Sequence, residues 1–179
     1  MKLLTSLVLA GAAVLTGCNS NSLFSLDPLV TEEQATFDAR LVGTWTNDGK
    51  DGPAAIFISR EGTTGYDVGY LTDNIMHSLE ARLFQAGDAQ VLDVSPSDED
   101  NFAIPAHVPV RIWIEGSRLR WAFLDSEWLR GHAARELAQH AVGQRMLVVT
   151  PGAAVRGFLV KYAADEQAHG DIATYEKLQ

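Results

Sequence analysis

The 179-residue chain holds five histidines and 23 carboxylate side chains, the usual material of metal and acid–base sites. The histidines are His77, His107, His132, His140 and His169. None stands in a His-Glu-x-x-His pattern, which would place two imidazoles and a general base on one helical face. His132 and His140 sit two helical turns apart with no third ligand nearby in sequence, so each of the five reads as a surface histidine. No Gly-x-Ser-x-Gly turn is present to hold a hydrolase serine. Gly62-Thr63-Thr64-Gly65 lacks the lysine and the strand-to-helix setting of a phosphate loop, and a hairpin turn accounts for it. Asp98-Glu99-Asp100 lacks the glycine and distal glutamate of a calcium loop and reads as a solvated charge run. Glu136 beside Arg135 suits a helix-surface pair better than a general base. The sequence therefore names no catalytic residue, no metal ligand and no cofactor site.

Aromatic residues are the remaining lead. Trp45, Trp121 and Phe123 could line a barrel interior that holds a small apolar ligand. They could equally be core, because side chains usually fill small barrels. Trp113 falls between Arg111 and Arg120 on the opposite face of the same hairpin. Tryptophan and arginine are enriched at interface hot spots. The plainer alternative is an arginine lying over a ring, worth only about 0.5–1 kcal/mol. The candidate ligand or partner contacts are thus Trp45, Arg111, Trp113, Arg120 and Trp121.

Cys18 is the only cysteine, and it follows Lys2 and an apolar run from Leu3 to Leu15. That run is too short to span a bilayer as a helix, which takes about 20 residues. A basic start, a short apolar core and small residues at its end describe a secretory signal. Leu15-Thr16-Gly17-Cys18 resembles the bacterial lipobox, cleaved before the cysteine by signal peptidase II. The resemblance implies residues 1–17 as signal peptide, a diacylglyceryl thioether on Cys18 and an acylated amino terminus. Two or more acyl chains make a stable anchor where one does not. Asn19 stands where an aspartate would favour inner-membrane retention. The resemblance therefore points to the outer membrane facing the periplasm, if the host is Gram-negative.

Removing residues 1–17 leaves 162, enough for one domain with a real core. It also removes Lys2, leaving 13 basic against 23 acidic residues, a net charge of −10. So acidic a surface is poorly suited to nucleic acid or bare anionic lipid. Membrane attachment must then come from the acyl chains. With Cys18 acylated, no thiol remains for a disulfide, a thiolate metal site or a nucleophile.

The elements that must position the aromatic residues are mostly strands. Residues 18–30 read as lipidated cysteine and flexible tether, and 31–179 as a single β-rich domain. Thr31-Glu32-Glu33-Gln34 fits a capping box and predicts a short helix over 32–40. Strands are predicted over 43–48, 54–60, 65–72, 75–85, 89–94, 108–115 and 118–124. Gly116-Ser117 suits a two-residue turn pairing Trp113 with Arg120 and Ile112 with Trp121. One face then holds Val110, Ile112, Ile114, Leu119, Trp121 and Phe123, and a one-residue slip would mix the faces. Gly87-Asp88 sets Leu83 opposite Leu92 and Arg82 opposite Asp93 in the same way. Asp125-Ser126 caps a predicted helix from Glu127 to about Ala141, with Leu129, Ala133, Leu137 and Ala141 as its apolar stripe. Residues 144–149 read as a last strand. Thr150-Pro151 starts a second helix bearing Val155, Phe158, Leu159 and Tyr162 on one face.

Gly43-Thr44-Trp45, at the first strand after a short helix, resembles the Gly-x-Trp signature of lipocalins and other calycins. That resemblance implies an antiparallel meander curled into a barrel, with the tryptophan plugging one end. No Thr-Asp-Tyr loop is present, and no arginine is assigned as that tryptophan's partner. Leu92-Asp93, Leu124 to Leu129, and Leu147-Val148-Val149-Thr150-Pro151 leading into Phe158-Leu159 and Tyr162-Ala163 resemble a group of bacterial lipoproteins and secreted domains without assigned activity. These are strand ends, caps and packing residues, so they transfer no site. The expectation is a mainly β, calycin-like barrel with a short N-terminal helix and two C-terminal helices. It would act as a membrane-anchored, non-catalytic small-ligand-binding or protein-interaction module of the envelope. The alternative is an envelope hydrolase acting on lipid or glycan through an acid/base site that the motifs do not display.

Overall fold

The computed structural model describes residues 23–48, 53–72, 75–97, 106–142 and 145–178. Cys18, the run before it, residues 19–22 and Asp98-Glu99-Asp100 lie outside the described residues.

A short strand β1 (Leu23–Ser25) comes first. Two 3-10 turns follow, Glu32–Gln34 and Ala39–Leu41, in place of the helix expected over 32–40. The capping contact is partly made, since Gln34 Oε1 accepts from the Thr31 N–H at 3.4 Å. But Ala35 is extended (φ −73, ψ 151), and the Thr36 N–H donates to the Leu83 carbonyl at 2.7 Å. Pairing with the barrel wall displaces the bonds a helix would make.

Then comes an antiparallel meander: β2 (Gly43–Thr46), β3 (Ala55–Glu61), β4 (Gly65–Thr72), β5 (Ile75–Ala86), β6 (Ala89–Pro96), β7 (Val108–Glu115) and β8 (Arg118–Phe123). Both expected hairpin registers hold: Trp113 faces Arg120, Ile112 faces Trp121, and Leu83 faces Leu92. Gly87 and Gly116 take φ +58 and +64, the left-handed region where a β-carbon is unfavourable.

Helix α1 (Ser126–Glu136) starts at Asp125, whose carboxylate accepts from the N–H groups of Glu127 and Trp128. It ends earlier than the expected Ala141. Leu137 is extended, and β9 (Gln139–Val142) pairs with β10 (Arg145–Val148) instead. Helix α2 (Gly152–Lys161) carries Val155, Phe158 and Leu159 inward, as its periodicity predicts. Its cap differs from expectation: Pro151 stands at the N-cap, and Thr150 Oγ1 accepts from the Ala138 N–H at 2.7 Å. A 3-10 turn at Glu166–Ala168 leads to β11 (Ala173–Lys177). This last strand pairs with β8 on one side and β2 on the other, closing eight strands into a barrel.

Strand alternation divides the apolar residues into two cores. Inside the barrel pack Leu41, Trp45, Ile56, Tyr66, Ile112 and Tyr175 with their neighbours. Outside, Phe84, Ala86, Ala89 and Val91 of β5 and β6 meet Trp128, Leu129, Val155 and Phe158 of the helices. The three-stranded sheet β1-β10-β9 completes this outer layer, with β1 parallel to β10. Residues 23–30, expected as tether, belong to the folded body: Leu23, Leu29 and Val30 are buried. The segment crosses the start of α2 so closely that a β-carbon on Gly152 would lie 1.8 Å from the Pro28 carbonyl oxygen. Among the described residues no helix is long and apolar enough to cross a membrane.

Candidate functional site

The five aromatic and basic candidates divide between the two faces of the barrel wall. Trp45 is fully buried inside; its indole N–H donates to the Leu41 carbonyl at 2.8 Å. Lys177 from β11 lies 5.0 Å from its ring centroid and donates to the Arg40 carbonyl at 2.8 Å. Trp121 also faces the interior, half-buried, edge-on to Phe123 at 5.0 Å and 6.3 Å from Tyr175. These two tryptophans are packing residues.

Arg111, Trp113 and Arg120 meet on the outer wall of β7 and β8. The guanidinium carbons lie 5.0 and 5.3 Å from the Trp113 ring centroid. Arg120 has a carboxylate partner in Glu115 at 2.5 Å, on the same hairpin. Arg111 does not: no carboxylate of the described residues pairs with it, and its Nη1 donates to the Ala163 carbonyl at 3.0 Å. Its Nε is buried without a hydrogen-bond partner, and burial pulls its pKa down. The exposed contact patch expected around Trp113 is therefore partly covered, because the chain after α2 folds over it.

That cover brings a residue the sequence did not associate with the group. His169 stands edge-on to Trp113 at 5.7 Å, with an interplanar angle of 83°. Both of its ring nitrogens are buried without a partner. Burial first, then the charge of Arg111, push its pKa below 6.5, against an opposing pull from Asp165. The expectation of a surface histidine fails here because the 3-10 turn at Glu166–Ala168 tucks this segment against the wall. Arg111 and His169 line a crevice between the barrel wall and the helices, otherwise apolar, with Val91, Leu124, Trp128 and Phe158 among its walls. Its enclosed volume is about 20 Å³, enough for one water-sized guest.

A second histidine also departs from expectation. His107 is buried; its Nδ1 lies 3.0 Å from Asp93 Oδ1, and Asp93 Oδ2 accepts from the Leu29 N–H at 2.9 Å. His107 and Ser25 exchange backbone bonds of 2.8 Å in both directions. The group clamps segment 23–30 to β6 and the start of β7. Glu61, Glu80, Arg82 and Ser95 surround it. Among the described residues no three histidines or carboxylates converge as a metal site. The other histidines are local: His77 stacks on Tyr70 at 4.8 Å, His132 on Trp128 at 4.3 Å, and His140 is exposed on β9. Glu136 pairs with Lys161 at 2.7 Å and Tyr162 at 2.5 Å, not with Arg135. Gly62-Thr63-Thr64 is the β3–β4 turn, held by the Arg60 side chain on the Gly62 and Thr63 carbonyls.

No known protein family, curated protein or solved structure matches this chain.

Proposed function

We propose that this protein is a lipid-anchored module of the bacterial envelope, with a calycin-like barrel, that acts by binding at its outer wall and not by catalysis. Leu15-Thr16-Gly17-Cys18 supports the anchor, and Asn19 supports the outer membrane as its place. Gly43-Thr44-Trp45 opening β2, with Lys177 over the buried tryptophan, supports the calycin-like reading.

One observation carries the binding mode. Trp45, Tyr66 and Tyr175 are each 0% exposed inside the barrel, with Leu41 and Ile112 packed among them. A small barrel filled by its own side chains has little room for a ligand. Contact with a ligand or partner then falls to the outer wall. Away from the helices that wall exposes Phe57 and Met76, at 40% and 55%, side by side over Gly69. Large apolar side chains left together in water mark interaction surfaces.

A photo-crosslinking residue at Phe57 or Met76, in the native host, should give discrete adducts that a probe at Glu115 does not. Absence of adducts from both positions would overturn the wall as the working surface. The anchor is tested separately. A palmitate analogue should label the wild-type chain in a bacterial host, and Cys18→Ala should leave an uncleaved precursor. Unlabelled, soluble wild-type protein would remove the lipoprotein reading.

The hydrolase alternative has one observation in its favour, the buried Asp93–His107 pair. A buried carboxylate orienting an imidazole is half of an acid/base site. Here the pair also holds Leu29 and Ser25. Its loss should therefore lower stability; esterase or glycosidase turnover abolished by His107→Asn in a protein that still folds would favour the enzyme.

A further inference from the structure

The three-stranded sheet of the outer layer turns an apolar face to water. In β1-β10-β9 the inward residues Leu23, Ser25 and Val148 are fully buried. Side chains alternate along a strand, so Phe24 and Leu147 point the other way. The register sets those two side by side, with His140 of β9 next in the row. Leu26 and Val149, just past the strand ends, form a second row on the same face. There the Leu26 N–H donates to the Val148 carbonyl at 3.4 Å. Leu26 and Val149 are exposed, while Phe24 and Leu147 are half-buried. Single apolar side chains on a surface are ordinary, but four on two adjacent strands make a patch. Among the described residues neither row holds an acidic side chain, in a chain of 23 acidic and 14 basic residues.

We propose that this face docks on the lipid bilayer, seating Leu26 and Val149 at the boundary between headgroups and acyl chains. The connectivity of the chain names the occupant. Only residues 19–22 lie between Cys18 and Leu23, the first residue of β1. A lipid on Cys18 therefore brings this sheet to the membrane before any other element. A few apolar side chains bind a bilayer only weakly by themselves. A short lead raises their effective concentration at the surface and turns a weak contact into a lasting one. The lack of carboxylates in the two rows completes the fit, because anionic headgroups repel acidic surface. The wall around Phe57 has the opposite character. In the row beside it, Asp67 and Glu80 face each other across β4 and β5, which suits that wall poorly to lipid.

The inference rests on the lipid-anchor reading, and its test separates the two. The lipidated full chain is placed in vesicles of phosphatidylethanolamine and phosphatidylglycerol. With Cys18 acylated, His140→Cys supplies a single thiol for an environment-sensitive fluorophore, on β9 beside Leu147. Phe57→Cys supplies the control on the barrel wall. Co-flotation with the vesicles reports the anchor alone. At position 140 the emission should shift to the blue, and lipids with a nitroxide high on the acyl chain should quench it more than aqueous iodide does. At position 57 iodide should quench more. The double variant Leu26→Ser/Val149→Ser changes only exposed side chains, so its urea transition should stay in place. Its lipid quenching at position 140 should be mostly lost, with flotation unchanged. Protein that does not float would remove the anchor and this inference together. Floating protein whose position-140 probe is open to iodide would remove the docking face alone. Unchanged quenching in the double variant would mean that the short lead, not the apolar face, holds the sheet at the membrane, and would overturn the proposal. A dimer in detergent that the double variant loses would assign the face to a second copy of the chain instead.

Discussion

Two tryptophans on one hairpin occupy opposite sides of a wall, and their packing sets how much each contributes. Trp121 faces the interior beside Phe123 and Tyr175, so Trp121→Ala leaves a cavity in the filled barrel and should cost about 3–5 kcal/mol. Trp113 lies outside under Arg111, Arg120 and His169. Its truncation removes two cation contacts and a ring edge, and should cost about 1–2 kcal/mol. Urea melts of the two variants check the order; equal losses would mean that the outer cover packs as tightly as the core. His169 adds a pH dependence with a definite sign. Its folded pKa lies below 6.5, so in the window just below 6.5 the unfolded chain binds a proton that the folded chain refuses. Stability should fall as pH drops through that window, and His169→Gln should flatten that part of a stability–pH profile. The Arg111–Trp113–Arg120 part of this site was legible in sequence because strand alternation fixes one face of a hairpin. His169 was not, since it joins the group only through a chain segment without periodicity.

At the level of elements, alternation and turn residues were enough to place the seven strands from β2 to β8 and both hairpin registers. They missed the strand that closes the barrel. In β11, Ala173, Tyr175 and Lys177 point inward, but five residues near the chain end carry too little pattern to separate strand from loop. Tertiary pairing also decided residues 139–142: the apolar stripe continues to Leu137, yet β10 takes the next residues as its partner. Closure by β11 should be essential. It covers the edges of β2 and β8 and inserts fully buried Tyr175. Unpaired strand edges invite association with other chains. A chain stopped after Gly170 should lose its cooperative urea transition and aggregate on a sizing column; a sharp transition from a monomer would mean that seven strands suffice. The clamp on segment 23–30 should be more local. Asp93→Ala leaves the Leu29 N–H and the His107 ring without their buried acceptor, at a cost of about 2–3 kcal/mol. Amide exchange should quicken across residues 25–31 before it quickens in β5 and β6.

For the whole molecule, the point where the folded body begins limits how the protein can stand on a membrane. Sequence composition made 18–30 a tether, but Leu23 is buried and paired with Met146, and only residues 19–22 separate it from Cys18. Five Cα steps at full extension, about 3.3–3.6 Å each, reach at most ~18 Å. If Cys18 carries the lipid, the β1 side of the outer layer must lie near the headgroups, within about two Debye lengths at physiological salt. The body carries 23 acidic residues, and repulsion from anionic lipid would favour a longer lead. With Cys18 lipidated, a short connection working against that repulsion would fix which side faces the bilayer. It would leave the opposite parts of the barrel wall for partners. A fluorophore placed at exposed Leu26, one residue beyond β1, reads this directly in vesicles with headgroup-linked quenchers. Quenching should be strong in the lipidated protein. It should fall when a ten-residue Gly/Ser segment is inserted between Ser20 and Asn21, with the urea transition unchanged because the folded body is untouched. Weak quenching in the natural chain, or quenching indifferent to the insertion, would mean that residues 19–22 do not set the height of the barrel above the bilayer.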